Sequence, residues 1–120
     1  MPARSPEQLD DLFAEAISRG ELDAVLALYE PGAVLPNQAG ELRTGTDAIR
    51  QELAPLAAMK PDMKTRTTKV IETGDIAVVY TQWSMTTPAQ MSGRAVEVSR
   101  RQPDGTWLLV IDDPFTLGPA

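Results

Sequence analysis

Residues 76–113 read IAVVYTQWSMTTPAQMSGRAVEVSRRQPDGTWLLVIDD, and they decide the fold. Three runs rich in Val, Ile, Thr and aromatic residues are separated by two turn signals, Pro88-Ala89 and Pro103-Asp104-Gly105. Branched and aromatic side chains suit a pleated sheet, whereas Pro and Gly interrupt it. Ile76 to Thr87, Met91 to Arg101 and Thr106 to Asp113 are therefore predicted strands. Upstream, Asp62 to Thr73 is a further strand, Thr-rich and closed by Thr73-Gly74-Asp75. Short turns between long strands imply an antiparallel meander.

The N-terminal half follows a helical period instead. Ser5-Pro6-Glu7-Gln8 has the residues of a helix start: a capping Ser, Pro at the first helical position and a box-closing Gln. Leu9, Leu12, Phe13, Ala16 and Ile17 recur on one helical face up to Gly20, a residue suited to a left-handed C-cap. Glu21 to Glu30 reads as a second short helix, with Leu22, Val25, Leu26 and Tyr29 on its apolar side, ended by Pro31-Gly32. Ala33 to Pro36 is a brief strand and 37–45 a loop. Thr46 caps a third helix lined by Ile49, Leu53 and Leu56, with a kink or early end expected at Pro55. Helices first and sheet second give an α+β layout, three helices on one face of a curved antiparallel sheet, in one domain over 1–120.

Composition excludes several chemistries. The 120 residues contain no Cys and no His. Disulfides, thiolate metal sites, Cys nucleophiles and His-based triads are ruled out. Acid–base work falls to Asp, Glu, Lys or Tyr. A metal would have only carboxylates and carbonyls as ligands, so no functional metal and no cofactor are expected. The net charge of -6 provides no global footprint for nucleic acid. Lys60, Lys64, Arg66 and Lys69 form a local basic stretch with only Asp62 against them, but no aromatic residue is interleaved, so a solvated strand face is expected there. The longest apolar run, Ala24 to Tyr29, is far too short to cross a membrane. A bacterial cytoplasmic protein is the expectation.

The order of several short pieces carries a resemblance. Gly20-Glu21-Leu22-Asp23 precedes Leu28-Tyr29 and Gly32-Ala33-Val34. Arg43-Thr44-Gly45 follows, with Ala48-Ile49-Arg50, and the chain closes on Asp104-Gly105-Thr106-Trp107 and Asp112. In this pattern the chain resembles the SnoaL-like, or nuclear transport factor two-like, superfamily, from Gln8 to Pro114. The resemblance implies a cystatin-like α+β roll whose sheet and helices enclose a conical pocket. That superfamily includes ketosteroid isomerases, polyketide cyclases and limonene epoxide hydrolase, and one such fold hosts many functions.

Carried over position by position, the resemblance argues against the steroid isomerase and epoxide hydrolase mechanisms and permits the polyketide cyclase role of a sheet aspartate at Asp112. The isomerase base falls on Asn37, whose amide cannot accept a proton near neutrality. The oxyanion-hole Tyr falls on Phe13, and the protonated Asp beside it, a pairing described for that isomerase, falls on Glu97. The hydrolase pattern needs Arg two residues from its acid, whereas Glu97 has Ala95 and Ser99 at that spacing. Glu97 and Asp112 remain as catalytic candidates. The resemblance turns Glu97 inward with Ala95 and Ser99, and turns Asp112 inward with Leu108 and Val110. The alternatives are a Glu97 paired with Arg66 or Lys64, and an Asp112 that is structural or solvated beside Asp113.

Phe13, Asn37, Tyr80, Gln82 and Val110 complete the expected pocket. Trp83, Met85, Trp107 and Leu109 are expected on the opposite sheet face, where the resemblance implies a homodimer contact. The functional expectation is a small-molecule-binding domain for an apolar carbonyl compound, either a binder or a cofactor-free isomerase, cyclase or lyase built on the same pocket. The alternative is a non-catalytic dimerisation or interaction domain with a vestigial pocket.

Overall fold

Helix α1 (Gln8–Ser18) forms where the apolar stripe is densest, and it buries Leu9, Ala14, Ala16 and Ile17. Gln8 N–H donates to Ser5 Oγ at 3.3 Å, so Ser5 supports the first turn from just outside it. The computed structural model describes residues 2–120. After α1 come α2 (Leu22–Leu26), β1 (Tyr29–Pro36), β2 (Leu42–Thr44) and α3 (Thr46–Met59). Strands β3 (Lys64–Thr73), β4 (Ile76–Met85), β5 (Met91–Arg101) and β6 (Trp107–Asp113) follow. The six strands form one curved sheet in the order β2-β1-β6-β5-β4-β3, with the helices on one face.

Several local details differ from the sequence expectation. Helix α2 stops at Leu26, and Tyr29 opens β1 instead of closing the helix. The short β2 pairs with β1 within the stretch expected to be loop. Helix α3 continues through Pro55, four residues before its end at Met59. Pairing is antiparallel throughout except between β1 and β6, which run parallel. A parallel contact needs a long crossover, and α3 with the meander supplies it.

Leu9, Ile17, Val25 and Ile49 have no more than 1% of their surface exposed and unite the three helices in one core. Full burial of each such aliphatic side chain contributes roughly 1.5–3 kcal/mol. Lys64, Arg66 and Lys69 are exposed on β3, the sheet edge. Charges there discourage pairing with another chain. Among the described residues, no helix is long and apolar enough to cross a membrane.

Near the other end of the core, Trp83 of β4 lies across Gly93 of β5, its register partner. Its Nε1–H donates to the Pro114 carbonyl at 2.8 Å, and its ring meets Phe115 edge-on with centroids 5.9 Å apart. A Cβ on Gly93 would sit 2.6 Å from the indole. Gly93→Ala therefore forces Trp83 off the sheet and should cost about 1–3 kcal/mol. Urea unfolding followed by Trp fluorescence would show this as a lower midpoint, and an unchanged midpoint would contradict the packing.

Candidate functional site

Between the helices and the sheet lies a cavity of about 270 Å³. Phe13 from α1, Leu53 and Leu56 from α3, and Met63, Trp83 and Ala95 give it mostly apolar walls. Into this lining α1 brings Asp10, β5 brings Glu97 and β6 brings Asp112. All three carboxyls are buried. Glu97 and Asp112 are register partners on adjacent strands, so their side chains leave the sheet side by side.

The inward face of β4 carries Ala77, Val79, Thr81, Trp83 and Met85, all buried. Tyr80 and Gln82 therefore lie on the outer face and do not line the cavity. Trp83, Met85 and Leu109, expected outside, line it, and Trp107 is buried in the core beside Ala3. Strand β4 is apolar on both faces, so alternation alone could not fix its parity. On β6 the pairing slips by one residue between Val98–Ile111 and Ser99–Leu109. This bulge turns Leu109 and Asp112 to the same side and leaves Val110 outside the lining. Phe13 lines the wall. Asn37 sits at the mouth, where its Nδ2–H donates to Glu41 at 3.0 Å and Glu52 at 3.3 Å.

Two site residues escape the sequence reading. Asp10 shares a helical face with Phe13, Ala14 and Ile17, a spacing that could have revealed it. Its Oδ2 accepts hydrogen bonds from Thr81 at 2.6 Å and Thr67 at 3.3 Å. Tyr29, read as a helix-packing residue, is buried and its hydroxyl donates to Asp112 Oδ2 at 2.6 Å. Glu97 Oε1 is buried without a hydrogen-bond partner.

The SnoaL-like domain profile matches residues 9–113. The chain belongs to the SnoaL-like domain family. No curated protein matches it. Its fold is shared with a candidate calcium/calmodulin-dependent protein kinase type II association domain from Thiobacillus denitrificans, at TM-score 0.81 and 19% identity over 100% of this chain and 97% of that one. A ketosteroid isomerase-like protein from Erwinia carotovora atroseptica matches at 0.72 and 20% identity, covering 92% and 93%. A candidate dehydratase of the nuclear transport factor two-like family from Streptomyces avermitilis matches at 0.74 and 20%, covering 95% and 92%. SnoaL-like domains commonly bind small ligands or host isomerase- or dehydratase-type chemistry.

In this SnoaL-like domain the acids differ in environment. Burial pushes the Glu97 carboxyl well above the usual carboxylate range, reinforced by its hydrogen bond and proximity to Asp10 and by the charge of Asp112. Burial also raises Asp112, to about 6, while the Tyr29 hydroxyl holds it down. Burial raises the Tyr29 hydroxyl well above its ordinary value, helped by the charge of Asp112, so it remains a donor.

A raised carboxyl pKa means that the folded state keeps a proton the unfolded chain has released. The Asp112 contribution to stability is thus most favourable below about pH 4. It declines as pH rises to about 6 and is constant above that. Asp112→Asn should flatten this part of the stability–pH curve and raise stability at pH 7 by at most about 3 kcal/mol. Chemical denaturation at pH 4, 5, 6 and 7 would test it. Parallel curves for the two proteins would refute the assignment.

Proposed function

We propose that this SnoaL-like domain binds a small, largely apolar carbonyl compound in its cavity and acts on it by acid–base catalysis that needs no cofactor. The observation that carries this reading is the side-by-side placement of Glu97 and Asp112 on β5 and β6 in an otherwise apolar cavity. Their environments suit opposite roles. Glu97 retains its proton and donates to the carbonyl oxygen. Asp112, ionised above about pH 6 and steadied by Tyr29, takes the proton from the carbon next to the carbonyl. The C–H electron pair becomes the new carbon–carbon double bond, and the Glu97 proton ends on oxygen, giving a neutral enol. Where the substrate carries a β,γ carbon–carbon double bond this enol is a dienol; Asp112 then returns its proton to the γ carbon while the enol O–H proton goes back to Glu97, which shifts the double bond into conjugation and completes an isomerisation.

Cyclohexanone and larger cyclic ketones in D2O test the reading through deuterium uptake next to the carbonyl, followed by NMR. Wild-type protein should accelerate uptake for at least one ketone. Glu97→Gln and Asp112→Asn should each lower that rate about 10²-fold or more while leaving ketone binding within a few-fold. No acceleration with any ketone, or full activity in both variants, would refute it.

We also propose a homodimer through the outer face of the sheet, with residues other than those expected from sequence. Ile71, Val78, Val98, Ile111 and Val34 are successive register partners across five strands and form one apolar row on that face. Ile71 is 47% exposed and Ile111 41% exposed. Two copies of the same row can cover each other about a two-fold axis. The Thiobacillus neighbour is described as an association domain, which agrees with this use of the fold. Light scattering should give about twice 13.0 kDa for the wild type and a monomer mass for Val98→Glu. A monomeric wild type, or a variant that remains dimeric, would refute the proposal.

A further inference from the structure

We infer that the cavity floor is a receptor for a positive charge, and that its ligands include apolar amines bound in their protonated form. This rests on the cavity being the binding site, but not on turnover. Three carboxyls from three different elements meet the cavity: Asp10 at 4% exposure, and Glu97 and Asp112 at 7% each. No Lys or Arg lines it. The side chains that donate to Asp10 and Asp112 are the hydroxyls of Thr81, Thr67 and Tyr29, all neutral. Neutral donors satisfy lone pairs but do not cancel charge, and an uncompensated charge out of water is costly. None of the three carboxyls forms a salt bridge among the described residues.

The remaining feature points to a missing donor. Glu97 is more than nine-tenths buried, lines the cavity, and its Oε1 has no partner in the protein. A ligand N–H would satisfy it. The fourth lining acid, Glu52, is already met by Arg43 at 3.6 Å and by Asn37 at 3.3 Å, so the uncompensated charge lies at the floor. Among the described residues the carboxyls are not grouped as ligands of a single metal ion. An alkylammonium suits such dispersed acceptors, because its N–H groups diverge while its carbon skeleton contacts the apolar walls. Trp83 and Phe115 belong to the same lining and add aromatic surface for such a carbon skeleton. A carboxylate ligand would meet like charge.

Three probes of one shape separate charge from shape: cyclohexylmethylamine, cyclohexylmethanol and cyclohexanecarboxylate, titrated calorimetrically at pH 7.5. The protonated amine should bind about tenfold tighter than the alcohol, the scale of a hydrogen bond to a charged group. The carboxylate should not bind. Asp10→Asn should remove most of the amine's advantage and leave the alcohol within about twofold, since its shape and acceptor oxygen are kept. If that variant does not fold, Asp112→Asn makes the same test. An alcohol that binds as tightly as the amine, or a carboxylate that binds, overturns the inference and leaves the cavity as a binding site. Failure of all three probes overturns both.

Discussion

Strand β6 has to satisfy two neighbours of opposite direction, β1 in parallel and β5 antiparallel. The two ladders space their hydrogen bonds differently, and on the β5 side β6 carries one extra residue near Val110. Strict alternation from Leu109 would place Ile111 inside and Asp112 outside. The bulge reverses this, so Leu109 and Asp112 both face the cavity and Ile111 joins the outer row. The Glu97–Asp112 pairing and the Tyr29 hydrogen bond depend on that slip, and the apolar row from Ile71 to Val34 depends on it together with the irregularities between Thr67 and Lys69 and between Tyr29 and Val34.

The architecture was legible because its signals are local. The 3.6-residue period of Leu9 to Ile17, the turns at Gly74 and Pro103-Asp104-Gly105, and the ordered short motifs each fix an element or a boundary. Sheet parity was not legible on β4 or β6. Val78 and Tyr80 are as strand-like as Val79 and Trp83, and Leu108 and Val110 are as apolar as Trp107 and Leu109. Only packing decides between such faces: Gly93 gives the Trp83 indole room against β5, and α1 covers Thr81. Asp10 was legible from helical spacing, but only to a reader prepared to find an acid within an apolar stripe. Tyr29 was not, because its role depends on where β1 begins.

With no His available, the site separates its acids by environment. Glu97 has burial, Asp10 and Asp112 against it and no donor on Oε1, so its neutral form is favoured. Asp112 has the Tyr29 hydroxyl, which rewards its charged form and keeps its pKa from rising further. Asp10 ties α1 to β4 and β3 through Thr81 and Thr67. The same carboxyl thus places the helix on the sheet and adds to the upward shift that burial imposes on Glu97, which links the position of α1 to the chemistry of β5.

The chain that carries Asp112 does not end at the sheet. Pro114 accepts the Trp83 N–H, Phe115 packs on the indole, and Gly118 accepts the Arg94 N–H of β5. Pro114 and Phe115 line the same cavity as Asp112, only two and three residues away. Floor and wall are therefore one continuous segment, held at one end by Tyr29 on Asp112 and at the other by β5. A ligand that engages Asp112 while filling the space beside Phe115 contacts both ends of this segment at once. Its charge contact and its apolar contact then reinforce each other, because ordering the segment for one interaction reduces the entropy still to be lost for the other.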